Sequence, residues 1–179
     1  MLRLTVPSTE YFDEEQSEFI DFPQTELELE HSLVSLSKWE SLHEKPFLDK
    51  ADKTDAEVRS YVEAMILTPE FPPNVVQFFT AENFNEVKAY IDAKMTATWF
   101  SDRPTPPSRE IITSELIYYW MIAFNIPMEC QHWHLNRLLT LVRVCNIKSQ
   151  TPKKMSKTDI AARNRELNAR RKAQFGTRG

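Results

Sequence analysis

Residues Arg109–Lys148, REIITSELIYYWMIAFNIPMECQHWHLNRLLTLVRVCNIK, form the most apolar stretch of the chain and decide its fold class. From Leu116 to Phe124, apolar or aromatic residues occupy nearly every side of a helical wheel, which is typical of a helix enclosed by its own protein. This run is much shorter than the roughly 20 residues of a membrane span. We therefore expect a buried central helix, followed by a second helix that begins at Pro127 and runs to about Asn146.

The second predicted helix has an apolar arc and a polar arc when its residues are placed at about 100° intervals. The apolar arc comprises Leu135, Leu138, Leu139, Leu141, Val142 and Cys145. The polar arc comprises His132, Asn136, Thr140 and Arg143. Such a pattern predicts that one side of the helix packs against the core and that the other side faces solvent.

The polar side of this helix also carries apolar residues, which makes it a candidate contact surface. Trp133 and Val144 fall there, and Arg137 lies one turn beyond Trp133, within reach of its ring. The predicted partner-binding residues are Trp133, Arg137, Val144, His132, Asn136 and Arg143. The alternative is that another segment of the chain covers this surface, as happens to most apolar residues.

The net charge of −4 conceals a division of the chain into two parts. From Lys148 to Gly179, ten basic residues stand against two acidic ones, which gives +8, whereas the rest has 12 basic and 24 acidic residues, which gives −12. We expect an acidic globular domain over residues 1–148, and a basic linker and C-terminal helix over residues 149–179. The tail could dock on its own body, on a second copy or on an acidic partner.

The predicted C-terminal helix has only a narrow apolar line, formed by two residues. The candidate tail contacts are Ile160, Leu167, Arg163, Arg170 and Arg171. So narrow a line rarely stabilises a helix by itself, and we expect the tail to be mobile until it meets a partner. Asn164 and Lys172 have the spacing found in basic-region helices, but no leucine heptads follow, and the acidic body would repel a duplex. Protein contact is therefore favoured over nucleic-acid binding.

The remaining segments predict a fold that is mainly α with a small N-terminal antiparallel β-sheet (α+β). Alternating apolar residues mark strands at Leu2–Val6, at Glu18–Phe22 and around Leu27 and Leu29. Thr54 and Thr80 are typical first caps of helices. The expected architecture is a helical core with a separable C-terminal helix.

Composition argues against most kinds of enzyme. The two glycines, Gly176 and Gly179, lie in the last four residues, whereas phosphate-binding loops and nucleophile elbows need glycine. His132 and His134 would point about 200° apart on a helix and could not share a metal ion, so we interpret His134 as a hydrogen-bonded core residue. We expect no catalytic residues, no cofactor and no metal site.

Five phrases of the sequence carry a resemblance to a known family. They are ELEHSLVSLSKWES (28–41), MTATWF (95–100), EIITSELIYYWMI (110–122), IPMECQHWHLNRLLTLVRVCNIK (126–148) and KKMSK (153–157). In this order they resemble the small tail-assembly chaperones of long-tailed, siphovirus-like phages that infect Gram-positive bacteria. The similarity extends from about Leu27 to the end of the chain.

The resemblance implies a role without catalysis. Such a chaperone is thought to bind the phage tape-measure protein and keep it soluble until tail tube subunits polymerise around it. The expected partners are the tape-measure protein, and also the tail tube protein or further copies of this chain, with no membrane. The expected location is the cytoplasm of the host cell, with the chain absent from the mature virion. Two alternatives stay open: a structural virion component, such as a tail completion or connector protein, and a nucleic-acid-binding regulator that uses the basic tail.

Overall fold

The computed structural model describes residues 1–13, 18–100, 111–150 and 157–176. Its regular elements are β1 (Leu2–Val6), β2 (Thr9–Asp13), β3 (Glu18–Phe22), β4 (Thr25–Leu29), α1 (Leu33–His43), α2 (Asp55–Met65), α3 (Ala81–Asp92), α4 (Ser114–Ala123), α5 (Leu135–Ser149) and α6 (Lys157–Phe175). Short 3-10 helices cover Val75–Phe78 and Met128–His132. The predicted fold class, mainly α with a small N-terminal antiparallel sheet, is confirmed.

The four strands form one long hairpin that is interrupted by prolines. Strand β1 pairs with β4 and β2 pairs with β3, both antiparallel. The two ladders share one register, since Val6 lies opposite Thr25 and Thr9 opposite Phe22. Pro7 and Pro23 fall in the gap between the ladders, where a residue without an N–H group cannot donate to a neighbouring strand. Strand β2 was not predicted from the sequence.

The inner face of β1 and β4 packs on the helical core, because Leu4, Val6, Leu27 and Leu29 are all buried. The free edge of β4 is covered by the chain that leaves α2. There the N–H of residue 30 donates to the carbonyl of residue 65 over 2.9 Å, and the N–H of residue 67 donates to the carbonyl of residue 28 over 2.7 Å. The sheet is therefore integrated with the helices.

Helices α1 to α3 each begin with a capping box. The pairs are Ser32 with Ser35, Thr54 with Glu57, and Thr80 with Asn83, in which each side chain bonds the backbone of the other residue. The predicted caps at Thr54 and Thr80 are thus confirmed.

Helix α4 exists where a central helix was predicted, but the expectation that it is enclosed on all sides is wrong. Ile117 and Met121 are completely buried, whereas Tyr119 is 63% and Ile122 is 68% exposed. The helix packs against α1 on one side. Its opposite side is covered by no residue that the structure describes, which is why its apolar side chains stay exposed.

The predicted continuous helix from Pro127 to Asn146 is also wrong at its beginning. A 3-10 helix covers Met128–His132, the chain then extends through Trp133 and His134, and α5 begins at Leu135. The break is fixed by a distant partner, since the Leu135 N–H donates to the carbonyl of His31 over 2.7 Å. The apolar arc is confirmed: Leu135, Leu138 and Val142 are buried, and Leu139, Leu141 and Cys145 pack against the core.

The chain divides into two compact units, Met1–Asn146 and Ile147–Gly179. This boundary lies two residues before the predicted one between residues 148 and 149. Helix α6 is the main element of the second unit and has 19 residues. Most of the predicted linker lies outside the described residues. No helix within the described ranges is both long and apolar enough to span a membrane.

Candidate functional site

The six predicted partner-binding residues lie in two neighbouring parts of the first unit. His132 is exposed on the 3-10 helix, and Trp133 is half-buried in the extended residues before α5, where it packs against the core. Asn136, Arg137, Arg143 and Val144 lie on α5. Four of the six residues therefore lie on the helix that was predicted for them. His132 and Trp133 do not, so their predicted positions on that helix are wrong.

Asn136 holds the end of α3 against the start of α5. Its side-chain amide donates to the carbonyls of Ile91 and Ala93, each over 2.9 Å. Both hydrogens of the amide are used in this way, so Asn136 has a structural role that the sequence did not reveal. Because α3 ends at Asp92, these bonds also fix the start of the segment 93–100 that follows it.

An open groove of about 410 Å³ lies between the segment 93–100 and one face of α5. Asn136, Thr140 and Arg143 share this face, since they are four and three residues apart. The groove is lined by Lys94, Thr96, Thr98, Trp99, Phe100, Asn136, Leu139, Thr140 and Arg143. Two of the predicted site residues, Asn136 and Arg143, thus meet in the groove.

Cations lie over aromatic rings at three places around α5. The ammonium nitrogen of Lys94 is 3.9 Å from the centroid of the Trp99 ring, and the guanidinium carbon of Arg143 is 4.0 Å from that of Phe100. The guanidinium of Arg137 lies 4.0 Å from the ring of Trp133, which confirms the predicted contact. Each pair combines an apolar face with a positive charge at the protein surface.

Sequence reasoning missed the half of the groove that the segment 93–100 contributes. No binding residue was predicted within MTATWF (95–100), although Trp99 is 79% exposed. An available signal was the pair of adjacent aromatic residues within a segment that has no helical or alternating pattern. Large aromatic side chains in loops are common in binding surfaces, and this pair could have been proposed on that ground.

His134 is a buried core residue, as predicted, and it has a specific structural role. Its Nδ1 accepts from the Asn136 N–H over 3.3 Å, which caps the first turn of α5. The proton must then reside on Nε2, which lies 2.9 Å from the carbonyl oxygen of Tyr90 and donates to it. His134 therefore joins the start of α5 to the last turn of α3.

A second buried histidine, His31, packs edge-on against His134 with ring centroids 5.1 Å apart. Its Nδ1 lies 2.5 Å from the hydroxyl oxygen of Tyr61. Burial, followed by the charge that His134 could carry, lowers the pKa of His31 to about 4. At neutral pH the His31 ring is therefore neutral. Burial also raises the pKa of the Tyr61 hydroxyl, which stays protonated.

The comparisons with known proteins add no relative. No protein-family model, no curated protein and no solved structure matches the chain. The candidate site is therefore defined by its geometry, in which apolar side chains, hydroxyl groups and two cations line one open groove. In the described part of the chain, no three histidine, cysteine or acidic side chains are grouped as metal ligands.

Helix α4 presents a second apolar surface. Tyr119 and Ile122 lie one turn apart on its exposed side, and Ile111, which precedes the helix, is 57% exposed. Tyr119 and Ile122 fall within the helix that was predicted to be buried on all sides. Exposed apolar side chains of this size on one helix face are a further contact candidate.

The predicted tail contacts are all exposed on α6. Ile160 is 45% and Leu167 is 42% exposed. Arg163, Arg170 and Arg171 are exposed as well, and Arg170 donates to the Glu166 carboxylate over 2.7 Å. An ion pair between exposed residues one turn apart stabilises a helix only slightly.

Proposed function

We propose that this chain is a tail assembly chaperone that binds the tape-measure protein of a long-tailed phage transiently and keeps it soluble while the tail tube assembles. The observation that supports this proposal is the open groove between the segment 93–100 and α5. A long, apolar-rich helical client needs a surface with apolar walls and a polar rim, so that it is shielded without being bound irreversibly. The groove has this composition, with Trp99, Phe100 and Leu139 as apolar groups and Lys94 and Arg143 beside them.

The exposed face of α4 is consistent with the same role. Tyr119 and Ile122 could contact a further part of a long client, since a client much larger than the groove offers many apolar segments. Several weak contacts on one chain increase the overall affinity without any single tight site. The role needs no catalytic group, and it locates the protein in the host cytoplasm.

Co-expression with the tape-measure protein from the same genome tests the proposal. With the wild-type chain, the tape-measure protein should be found in the soluble fraction and should co-purify with this chain. Trp99→Ala should lower the recovered complex by at least about tenfold, because exposed tryptophans at contact surfaces contribute strongly to binding. Leu42→Ala removes an apolar side chain of α1 that is also largely exposed, at 70% against 79% for Trp99, and it should have no effect.

The runner-up function, a structural virion component, gives the opposite result in a second measurement. Mass spectrometry of purified virions should detect no copies of this chain if it is a chaperone. An insoluble tape-measure protein without a complex, together with this chain in finished virions, would refute the chaperone proposal.

A further inference from the structure

The groove is a cationic site on an acidic body. Among the described residues that line it, Lys94 and Arg143 are charged and none is acidic. The chain before Lys148 nevertheless has 24 acidic residues against 12 basic ones. Neither groove cation forms a salt bridge within the described ranges, although acidic side chains are abundant. Two positive charges are thus presented together, with no carboxylate partner among residues 1–13, 18–100, 111–150 and 157–176.

The aromatic contacts orient these cations without occupying their hydrogen-bond donors. A guanidinium that stacks on a ring, as Arg143 does on Phe100, keeps its N–H groups in the plane of the group, where a carboxylate can accept two of them. The ammonium of Lys94 above Trp99 can likewise donate away from the ring. Ring contact fixes the positions of both cations, which reduces the entropy lost when an anion binds.

Hydroxyl groups add a donor to the groove. The Thr96 oxygen accepts from the Thr98 N–H over 3.1 Å, which leaves the Thr96 hydroxyl proton for another acceptor. Thr140 instead donates its proton to the carbonyl of Asn136 over 2.8 Å. The lining thus combines two cations and the Thr96 hydroxyl group with the apolar surfaces of Trp99, Phe100 and Leu139.

We infer that this groove binds a helical segment of the partner that carries carboxylate and apolar side chains on the same face. This inference rests on the proposed function and specifies the chemistry of the client segment. The carboxylates bind Arg143 and Lys94, and the apolar side chains pack on Trp99 and Leu139. A volume of about 410 Å³ accommodates a few side chains, so the groove recognises a short acidic and apolar stretch of a longer helix. Nucleic acid is disfavoured, because the surrounding charge of −12 repels a polyphosphate.

A selection from a random peptide library tests the groove independently of any client. The full chain is immobilised, and the peptides it enriches are compared with those enriched by the double variant Lys94→Gln, Arg143→Gln. Lys88→Gln, on the exposed side of α3, is the matched control. The wild type and the control should both enrich peptides that contain Asp or Glu beside apolar residues. The double variant should not.

Affinities of the selected peptides give the decisive measurement. Replacing Asp and Glu by Asn and Gln in a peptide should weaken its binding to the wild type by about tenfold or more, as loss of a charge-assisted hydrogen bond does. The double variant should bind the acidic and the amide peptides equally weakly. Its circular dichroism and its unfolding midpoint should match those of the wild type, since glutamine retains most of each side chain.

Three results would overturn the inference: selected peptides without acidic residues, equal affinities for the acidic and amide peptides, or an unchanged affinity in the double variant. Binding of a labelled single-stranded oligonucleotide that the double variant abolishes would instead identify nucleic acid as the ligand. The co-expression experiment separates this inference from the proposed function. A soluble tape-measure complex that is unaffected by the double variant refutes the inference alone. Acidic and apolar peptides bound in the groove, with no tape-measure complex, refute the proposed function alone.

Discussion

Lowering the pH should destabilise the protein through the buried histidine His31. The side chain is only 3% exposed, and it lies between the hydroxyl of Tyr61 and the ring of His134. A proton on His31 would place a charge in this buried position, and for this reason the pKa is lowered from 6.5 to about 4. In the unfolded chain the same ring is in water and keeps its ordinary pKa.

The direction of the effect follows from proton binding in the two states. Between pH 6.5 and about pH 4, the unfolded chain binds a proton at residue 31 that the folded chain does not bind. The stabilisation is therefore complete above pH 6.5 and is lost as the pH falls through this window. A shift from 6.5 to about 4 corresponds to about 3 kcal/mol, of which about 2 kcal/mol is lost by pH 5.

Urea unfolding, followed by tryptophan fluorescence from neutral pH down to about pH 5, measures this loss. His31→Gln removes the titrating ring, and its free energy of unfolding should fall less than that of the wild type over the same range. His132→Gln, which removes an exposed histidine, should keep the wild-type pH dependence. The reasoning is refuted if the wild type and His31→Gln lose the same free energy between neutral pH and pH 5.

Four further changes test the packing. Leu138→Ala empties a completely buried position and should lower the free energy of unfolding by roughly 2–5 kcal/mol in urea titrations. Trp133→Ala should cost about 2 kcal/mol, less than at a fully buried tryptophan, because the ring is half-buried; an unchanged midpoint would contradict its core contacts. The two carboxylate oxygens of Glu40 accept from the backbone N–H groups of Phe47 and Ser114. Glu40→Gln replaces one oxygen by an NH2 group that faces one of these donors, and it should lower the free energy of unfolding by about 2 kcal/mol in the same titration. Deletion after residue 150 should leave the thermal unfolding midpoint of the body within a few degrees, and a body that is unfolded without the tail would show that the tail is structural.

The elements that the sequence predicted well depend on local interactions. A helix cap depends on residues within the first turn, and the caps at Thr54 and Thr80 could therefore be predicted from the sequence. The alternation in Leu2–Val6 reflects a strand with one buried face, and it too is local. Strand pairing is not local in this sense. Strand β2 has no clear alternation of apolar residues, and it is defined by its ladder with β3.

The errors all involve partners that are distant in the sequence. The burial of α4 depends on which other elements pack against it, and this cannot be deduced from the apolar composition of the helix. Tyr119 and Ile122 are apolar and yet exposed. The helical period continues through Trp133 and His134, but a bond from Leu135 to the carbonyl of His31 breaks the helix there. The pattern of residues 127–146 alone could not predict this bond to residue 31.

The groove itself was not predicted, because only one of its walls lies on α5. Asn136 and Arg143 were placed correctly on one face of α5 by the helical wheel. The other wall requires that the segment 93–100 return along this face. Met95 there has a positive φ of 50°, a conformation that costs a non-glycine residue about 1 kcal/mol or more and that turns the chain after α3. A methionine gives no sign of this conformation in the sequence.

The scarcity of glycine explains how the groove is connected to the core. A helix often ends at a glycine, which lets the last carbonyls be satisfied by the chain itself, but α3 has neither a glycine there nor a basic residue in its last turn. Its final carbonyls, of Tyr90, Ile91 and Ala93, are instead bonded by the side chains of His134 and Asn136. His134 directly precedes α5 and Asn136 lies in its first turn, so the bonds that complete α3 also hold the end of α3 against α5. The first residue of the segment 93–100 is therefore held against α5 without a partner, which reduces the conformational entropy lost when a partner segment enters the groove.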